Sequence, residues 1–336
     1  MNFDYTDDQQ AIKATAKDFL ASRFKADKVR ELAEKGSYAD SDWAEMSGLG
    51  WPGIFVSEEH GGQGLGVVEL LILMEELGYA LAPTPFFSNA AAGLMLAHAG
   101  SDAQRERWLP GVASGEARGT VGVVAGGSAP LVPDADSAEF IVLVDGASAT
   151  LVETSAAEVE EVATIDSTRR FFRVTAGGGE ALEDGEVSAG LDRVAAALAA
   201  ELTGVAQHAM EMAVEYARER QQFGRPIGAY QAVSHRCAQM LLEVEGARSA
   251  MLYAGWAADH QPEDLPLAAA MAKAYASDTG WRVTASSLQV HGGIGFTWEH
   301  DLHFFLKRAE TDGHLFGAAR SHRERVAAAG LGALAA

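Results

Sequence analysis

Three arginines crowd the stretch RERQQFGRPIG (218–228), which follows a long apolar-periodic run. At a helix C-terminus the macrodipole favours cations, so simple capping explains them. The alternative is a phosphate clamp, because the planar guanidinium fork matches phosphate oxygens. A second stretch, QVHGGIGFTWE (289–299), places Gly292, Gly293 and Gly295 where backbone amides could approach a ligand closely. No strand precedes it and the spacing is not that of a Rossmann fingerprint, so taken alone it reads as a turn between helices. His291, His300 and His303 lie nearby, but no carboxylate or cysteine completes a metal-ligand spacing, and no metal is expected. Glu201 flanks the apolar stripe of a long helix; there a carboxylate either has a raised pKa and acts as a base, or pairs with an arginine. Cys237, the single cysteine, falls on an apolar face and reads as a core thiol.

The elements that must position these groups fall into three textures. Residues 1–118 read as helices, beginning with a Thr cap and an acidic first turn in TDDQQ, and EEHGGQGLG (58–66) reads as a glycine-rich connector. Residues 119–190 carry short β-branched runs bounded by Gly, Asp or Ser, the pattern of a small antiparallel β domain. From 191 to 336 the pattern is helical again. Val194, Leu198, Leu202, Val205, Ala209, Met212 and Tyr216 form one stripe, Tyr230 to Ala254 a second, and a third helix is expected from about 267 to 288. Short connections between such helices predict an antiparallel bundle. The expected fold is mainly α with a central β domain, and the C-terminal part a four-helix bundle.

The chain has 336 residues, 48% of them hydrophobic, and a net charge of −21. So acidic a surface repels nucleic acid and anionic membranes, and neither is an expected partner. The first ten residues lack the basic and apolar regions of a signal peptide, and no apolar run reaches the roughly 18 residues of a membrane span. With one cysteine and no leader, a reducing cytoplasm is the expected address.

Together the segments RQQFGRPIGAYQAVSHRCAQM (220–240) and QVHGGIGFTWEHDLHFFLKRAE (289–310) resemble the acyl-CoA dehydrogenase family. LGWPGIFVSEEHGGQGLGVVELLILMEELGYAL and RERWLPGVASGE resemble that family's N-terminal helical domain. The resemblance covers residues 1–118 and 191–325 well and the β region poorly. It implies FAD held between subunits, and removal of two hydrogens from the Cα–Cβ bond of an acyl-CoA thioester. It places Arg220 on the flavin pyrophosphate, Gln222 and Phe223 at neighbouring cofactor contacts, and Gln289, Gly292 and Gly293 on the adenosine side. An electron-transfer flavoprotein or similar acceptor is the implied redox partner.

The departures matter as much. Reading on from GGIGF, the position of the family's commonest catalytic glutamate falls on Phe316, and the flavin-contacting threonine is Ala318. The alternative base position on the first bundle helix falls on Val194. Glu201, two turns further along the same face, is the best remaining candidate base, with Asp192 a weaker one. The β region lacks the family's flavin-covering stretches and contains no tryptophan. This pattern, with the SHRER ending at 321–325, resembles the short subunits of bacterial heterotetrameric acyl-CoA dehydrogenases, several of which act on steroid side-chain CoA esters. The expectation is a subunit that shares its FAD with another chain. The alternatives are a self-sufficient enzyme using Glu201, and a non-catalytic scaffold.

Overall fold

A computed structural model describes residues 4–183 and 186–335. Six helices come first: α1 (Asp7–Arg23), α2 (Ala26–Lys35), α3 (Asp40–Gly48), α4 (Val67–Ala80), α5 (Phe86–Ala99) and α6 (Asp102–Ser114). The Thr6 hydroxyl accepts from the Gln9 amide while the Gln9 side chain accepts from the Thr6 amide, a reciprocal cap that starts α1 where the sequence places it. The α4 and α5 helices are apolar nearly all round and are buried on nearly all sides, as that composition requires.

Seven short strands follow: β1 (Gly119–Val123), β2 (Ala129–Pro133), β3 (Phe140–Asp145), β4 (Ser148–Glu153), β5 (Ala157–Val162), β6 (Phe171–Ala176) and β7 (Glu180–Ala181). They form two sheets, ordered β1-β3-β4-β7 and β2-β6-β5. Pairing is antiparallel except between β1 and β3, which run parallel with Gly119 opposite Phe140. Ile141, Leu143, Phe172 and Val174 from the two sheets make a small core of their own.

The C-terminal part is built on α7 (Val187–Glu219), α8 (Gln231–His260) and α9 (Leu265–His291), followed by α10 (Leu302–His314) and α11 (Ala319–Ala335). A short hairpin of β8 (Gln221–Gln222) and β9 (Arg225–Pro226) links α7 to α8. The central helix is α7, which packs against α4, α5, α8, α9 and α10. Glycine sets how closely α4 approaches it. A Cβ on Gly204 would fall 1.9 Å from the Glu75 carbonyl, and one on Gly78 would fall 2.1 Å from the Glu201 carbonyl. This crossing fixes the depth at which Glu201 sits. Among the described residues no helix is long and apolar enough to cross a membrane.

Candidate active site

A mainly apolar cavity lies where the β domain meets the start of α7 and the turn between α10 and α11. It has a volume of about 720 Å³, and its walls include Val144, Ile165, Leu191, Leu315 and Phe316. Its polar wall residues include Glu310, His314, His322 and Arg325. Phe316 forms part of the inner wall, packing edge-to-face on Phe87 with ring centroids 6.1 Å apart. Behind Phe87 stands the Arg169 guanidinium, 4.8 Å from the ring centre.

Arg169 belongs to a buried ionic cluster. It donates to both oxygens of Glu201 at 2.8 Å and to Asp312 Oδ1 at 2.6 Å. Arg308 donates to Asp166 Oδ2 at 2.6 Å, to Glu201 Oε1 at 2.7 Å and to Thr168 Oγ1 at 2.6 Å. All six side chains are buried. The segment 166–169 joins β5 to β6, Glu201 is on α7, and Arg308 and Asp312 are on α10. The cluster therefore fastens the β domain to the bundle directly beside the cavity. Burial pushes the Asp312 carboxyl up to about 7 against the opposing pull of Arg169, and its Oδ2 has no hydrogen-bond partner.

Glu201 is 2% exposed, neither of its oxygens is free of a guanidinium, and it does not line the cavity. Of the two readings open from sequence, pairing with an arginine is what the geometry displays. Asp192 is also buried and accepts from Arg325 at 2.5 Å, and Val194 lies in the core. Cys237 is half-buried at the edge of a bundle cluster, and burial raises its thiol pKa.

The residues expected to touch a cofactor gather at the opposite end of α7. Tyr216, near the end of α7, stacks on His291, the last residue of α9, at 4.6 Å. This contact brings Arg220, Gln222 and Phe223 to the same end of the bundle as Gln289, Gly292 and Gly293. All but the half-buried Gly292 are exposed. Phe223 is 92% exposed and holds φ = 53°, beside Gly224 at 81°, in the hairpin turn. A bulky residue held left-handed in solvent is a conformation that functional loops retain. Arg225 lies 4.1 Å above Tyr230, whose hydroxyl donates to the Gln222 carbonyl, and the two contacts fix the hairpin. Gly292 has φ = 63°, and a Cβ on Gly292 or Gly293 would meet nothing within 4 Å. Packing within the chain does not demand these glycines; they border open space. An extended anionic dinucleotide fits that arrangement of exposed guanidinium, aromatic ring and bare backbone.

Sequence reading missed Arg169, Arg308, Asp312 and Lys273. A signal existed for three of them. Arg308 and Asp312 continue the stripe Leu302, Phe305, Ala309, and Lys273 continues Ala269, Ala272, Ala276, so each is a charge on an apolar face.

The chain is thus a helical domain, a two-sheet β domain and a long-helix bundle, with a cavity where they meet. Residues 6–116 match the acyl-CoA dehydrogenase N-terminal domain, and residues 186–331 match the acyl-CoA dehydrogenase C-terminal domain. The chain belongs to the acyl-CoA dehydrogenase family. It is 34% identical over 282 residues to acyl-CoA dehydrogenase IpdE2 of Mycolicibacterium smegmatis, spanning 83% of this chain and 84% of that one. To IpdE2 of Mycobacterium tuberculosis it is 33% identical, over 95% and 96% of the two chains. Among solved structures, a variant of the Tcur3481–Tcur3483 steroid ACAD superposes with a TM-score of 0.90 at 26% identity, covering 98% of this chain and 99% of that one. A chain of the ChsE4–ChsE5 complex from Mycobacterium tuberculosis shares the fold, with a TM-score of 0.87 at 24% identity over 97% and 98%.

Proposed function

We propose that this chain is a subunit of an FAD-dependent acyl-CoA dehydrogenase that desaturates an acyl-CoA thioester, and that it shares its FAD site with another chain. The observation that carries this reading is the distance between its two half-sites. Leu191 lines the cavity and Arg220 ends the same helix. At 1.5 Å per residue they stand roughly 40 Å apart, beyond the reach of one dinucleotide. The exposed grip of Arg220, Gln222, Phe223, Gln289, Gly292 and Gly293 therefore serves a cofactor whose ring lies against a different protomer.

When bound, FAD supplies the hydride acceptor. This chain's contribution is positioning: Arg220 pairs with the pyrophosphate, and the glycines admit backbone close to the adenosine. Phe316, standing where the family's commonest base falls, takes no proton. We assign Glu201 to the ionic joint that holds the cavity wall, and look to the partner chain for the base. The steroid ACAD among the solved neighbours favours a bulky alicyclic acyl group, and the electron transferring flavoprotein named in another neighbour's title favours such a protein, or a similar one, as acceptor. The cytoplasm is the expected compartment.

The test is co-expression with a second acyl-CoA dehydrogenase chain, followed by flavin absorbance per chain. Flavin that arrives only with the partner, at less than one per chain, is the expected result. One full FAD per chain in the isolated homomer would make the other protomer a second copy of this chain and sink the site shared with a different chain. Phe316 also favours a second reading, a flavin-free scaffold, and flavin absorbance in the purified complex that disappears with Arg220→Ala would rule it out.

A further inference from the structure

Lys273, on α9, is fully buried. No carboxylate oxygen lies within salt-bridge distance of it among the described residues. Its ammonium instead donates to four oxygens: the carbonyls of Asp312 at 2.9 Å, Gly313 at 3.1 Å and Gly317 at 3.2 Å, and the Ser277 hydroxyl at 3.1 Å. The first two carbonyls are in the last turn of α10, where no further helical amide is available and the dipole is negative. The third lies across the turn to α11.

That turn is an unusual piece of backbone. Phe316 holds φ = 54° and Gly317 φ = 107°. For phenylalanine the left-handed region is sterically unfavourable, so surrounding contacts must impose it. The contacts are visible. The Gly317 amide donates to the His314 carbonyl at 3.3 Å, and His322 Nε2 lies 3.2 Å from the Phe316 carbonyl. Burial and the nearby Lys273 charge push the His322 pKa down to about 4, so the ring is neutral near pH 7 and its Nε2–H is the donor. Lys273 ties the two flanks of this turn to one point on α9.

We infer that Lys273 is a positioning residue for the cavity wall: by clamping the carbonyls of Asp312, Gly313 and Gly317 it holds the α10–α11 turn left-handed and sets Phe316 against Phe87. The inference rests on the functional reading only in taking this cavity as the reaction site. Its test needs neither flavin nor partner, so its failure leaves the shared-cofactor reading standing.

The decisive experiment is a double-mutant cycle on the full chain, read by urea unfolding, with Lys273→Met and Phe316→Gly. If the clamp enforces a left-handed phenylalanine, glycine at 316 removes much of what the clamp is needed for. The unfolding constant is then expected to rise at least about tenfold less for Lys273→Met in the Phe316→Gly background than in the wild type. Equal effects in both backgrounds overturn the inference, because a generic cost of changing a buried lysine does not depend on residue 316.

Hydrogen exchange of residues 312–318 gives a second readout that also works on the unmutated chain. Burial lowers the Lys273 pKa to about 7. The titratable groups facing it are Asp312 from α10 and His322 from α11. As the pH rises from 6 to 8 the ammonium loses its proton. Opening frees Lys273 from burial and restores an ordinary lysine pKa, so above pH 7 it takes up a proton; opening of the turn, corrected for intrinsic exchange, is expected to decrease up to about tenfold while the interior of α7 stays protected. His322 is silent in this window, whereas Asp312, raised to about 7, responds with the opposite sign. Lys273→Met is the control: a decrease that survives it does not come from Lys273 and overturns the assignment. If that variant does not fold, a wild-type turn whose opening does not decrease between pH 6 and 8 overturns it alone.

Discussion

The two ends of α7 present opposite chemistries. Around Glu201, charged residues are buried, paired and remote from solvent. Around Arg220 and Gly293 the side chains are exposed, and Phe296 and Trp298 are 79% and 60% exposed beside them. The first region carries no recognisable motif yet has every mark of being essential to the fold. The second carries the motifs that reveal the family, yet little in this chain holds it. A region that recognises something outside the chain is left unsatisfied by the chain itself; a region that joins two domains is satisfied internally.

This contrast is broken most forcefully at Arg308. Arg308→Met leaves Asp166 and Glu201 with one guanidinium fewer in a site without water access. Removing one partner of a buried ion pair costs about 3–5 kcal/mol. The midpoint of urea unfolding should fall accordingly. A change below about 1 kcal/mol would mean that the cluster is hydrated and not a joint.

The same contrast explains what was legible in the sequence. Helix periodicity placed α7, α8 and α9 because one apolar face against one core leaves a period of 3.6 in the residues themselves. The exposed end of α7 was legible as a pair of motifs, since its residues are adjacent in sequence at helix ends. The ionic joint was not. Its members come from 166–169, 201 and 308–312, and only tertiary contact pairs them. Glu201 was noticed for lying beside an apolar stripe, and its meaning depended on Arg169, some thirty residues away in a loop between strands. The parallel β1–β3 pair was hidden for a related reason: strand patterns encode which face is buried, not which neighbour runs alongside.

Glu201→Gln sharpens the comparison from the other side. It keeps the side-chain volume and removes the charge that both arginines share. Unfolding free energy is expected to drop by about 1–3 kcal/mol. In an active complex, turnover of an acyl-CoA with an artificial electron acceptor should persist when corrected for folded protein. Complete loss of turnover with an unchanged unfolding midpoint would return Glu201 to the role of base.

Acid should loosen the buried end before it affects the exposed one. Burial, aided by nearby cations, lowers His98 and His322 to about 4, against about 6.5 for a free imidazole. Between those values the unfolded chain binds more protons than the folded one, so stability is complete above pH 6.5 and is lost as pH falls toward 4. A melting temperature several degrees lower at pH 5 than at pH 7 is expected. His322→Asn should flatten part of that slope, and an unchanged slope would remove His322 from the account.

The smallest expected effect on stability is at the exposed end, and there its smallness is informative. Arg220 makes no side-chain hydrogen bond or ion pair among the described residues, and Phe223 touches little beyond Tyr230, 6.4 Å away between ring centres. Arg220→Ala and Phe223→Ser should therefore each change the unfolding free energy of the isolated chain by less than about 0.5 kcal/mol. Phe223→Gly should even stabilise it slightly, because glycine accepts φ = 53° without a Cβ clash. Flavin content of the assembled protein should respond in the opposite sense, falling sharply in all three. A variant that keeps its flavin shows that the hairpin does not hold the cofactor. One that loses both flavin and stability shows that the hairpin is part of the fold, and the distinction between the two ends of α7 would then collapse.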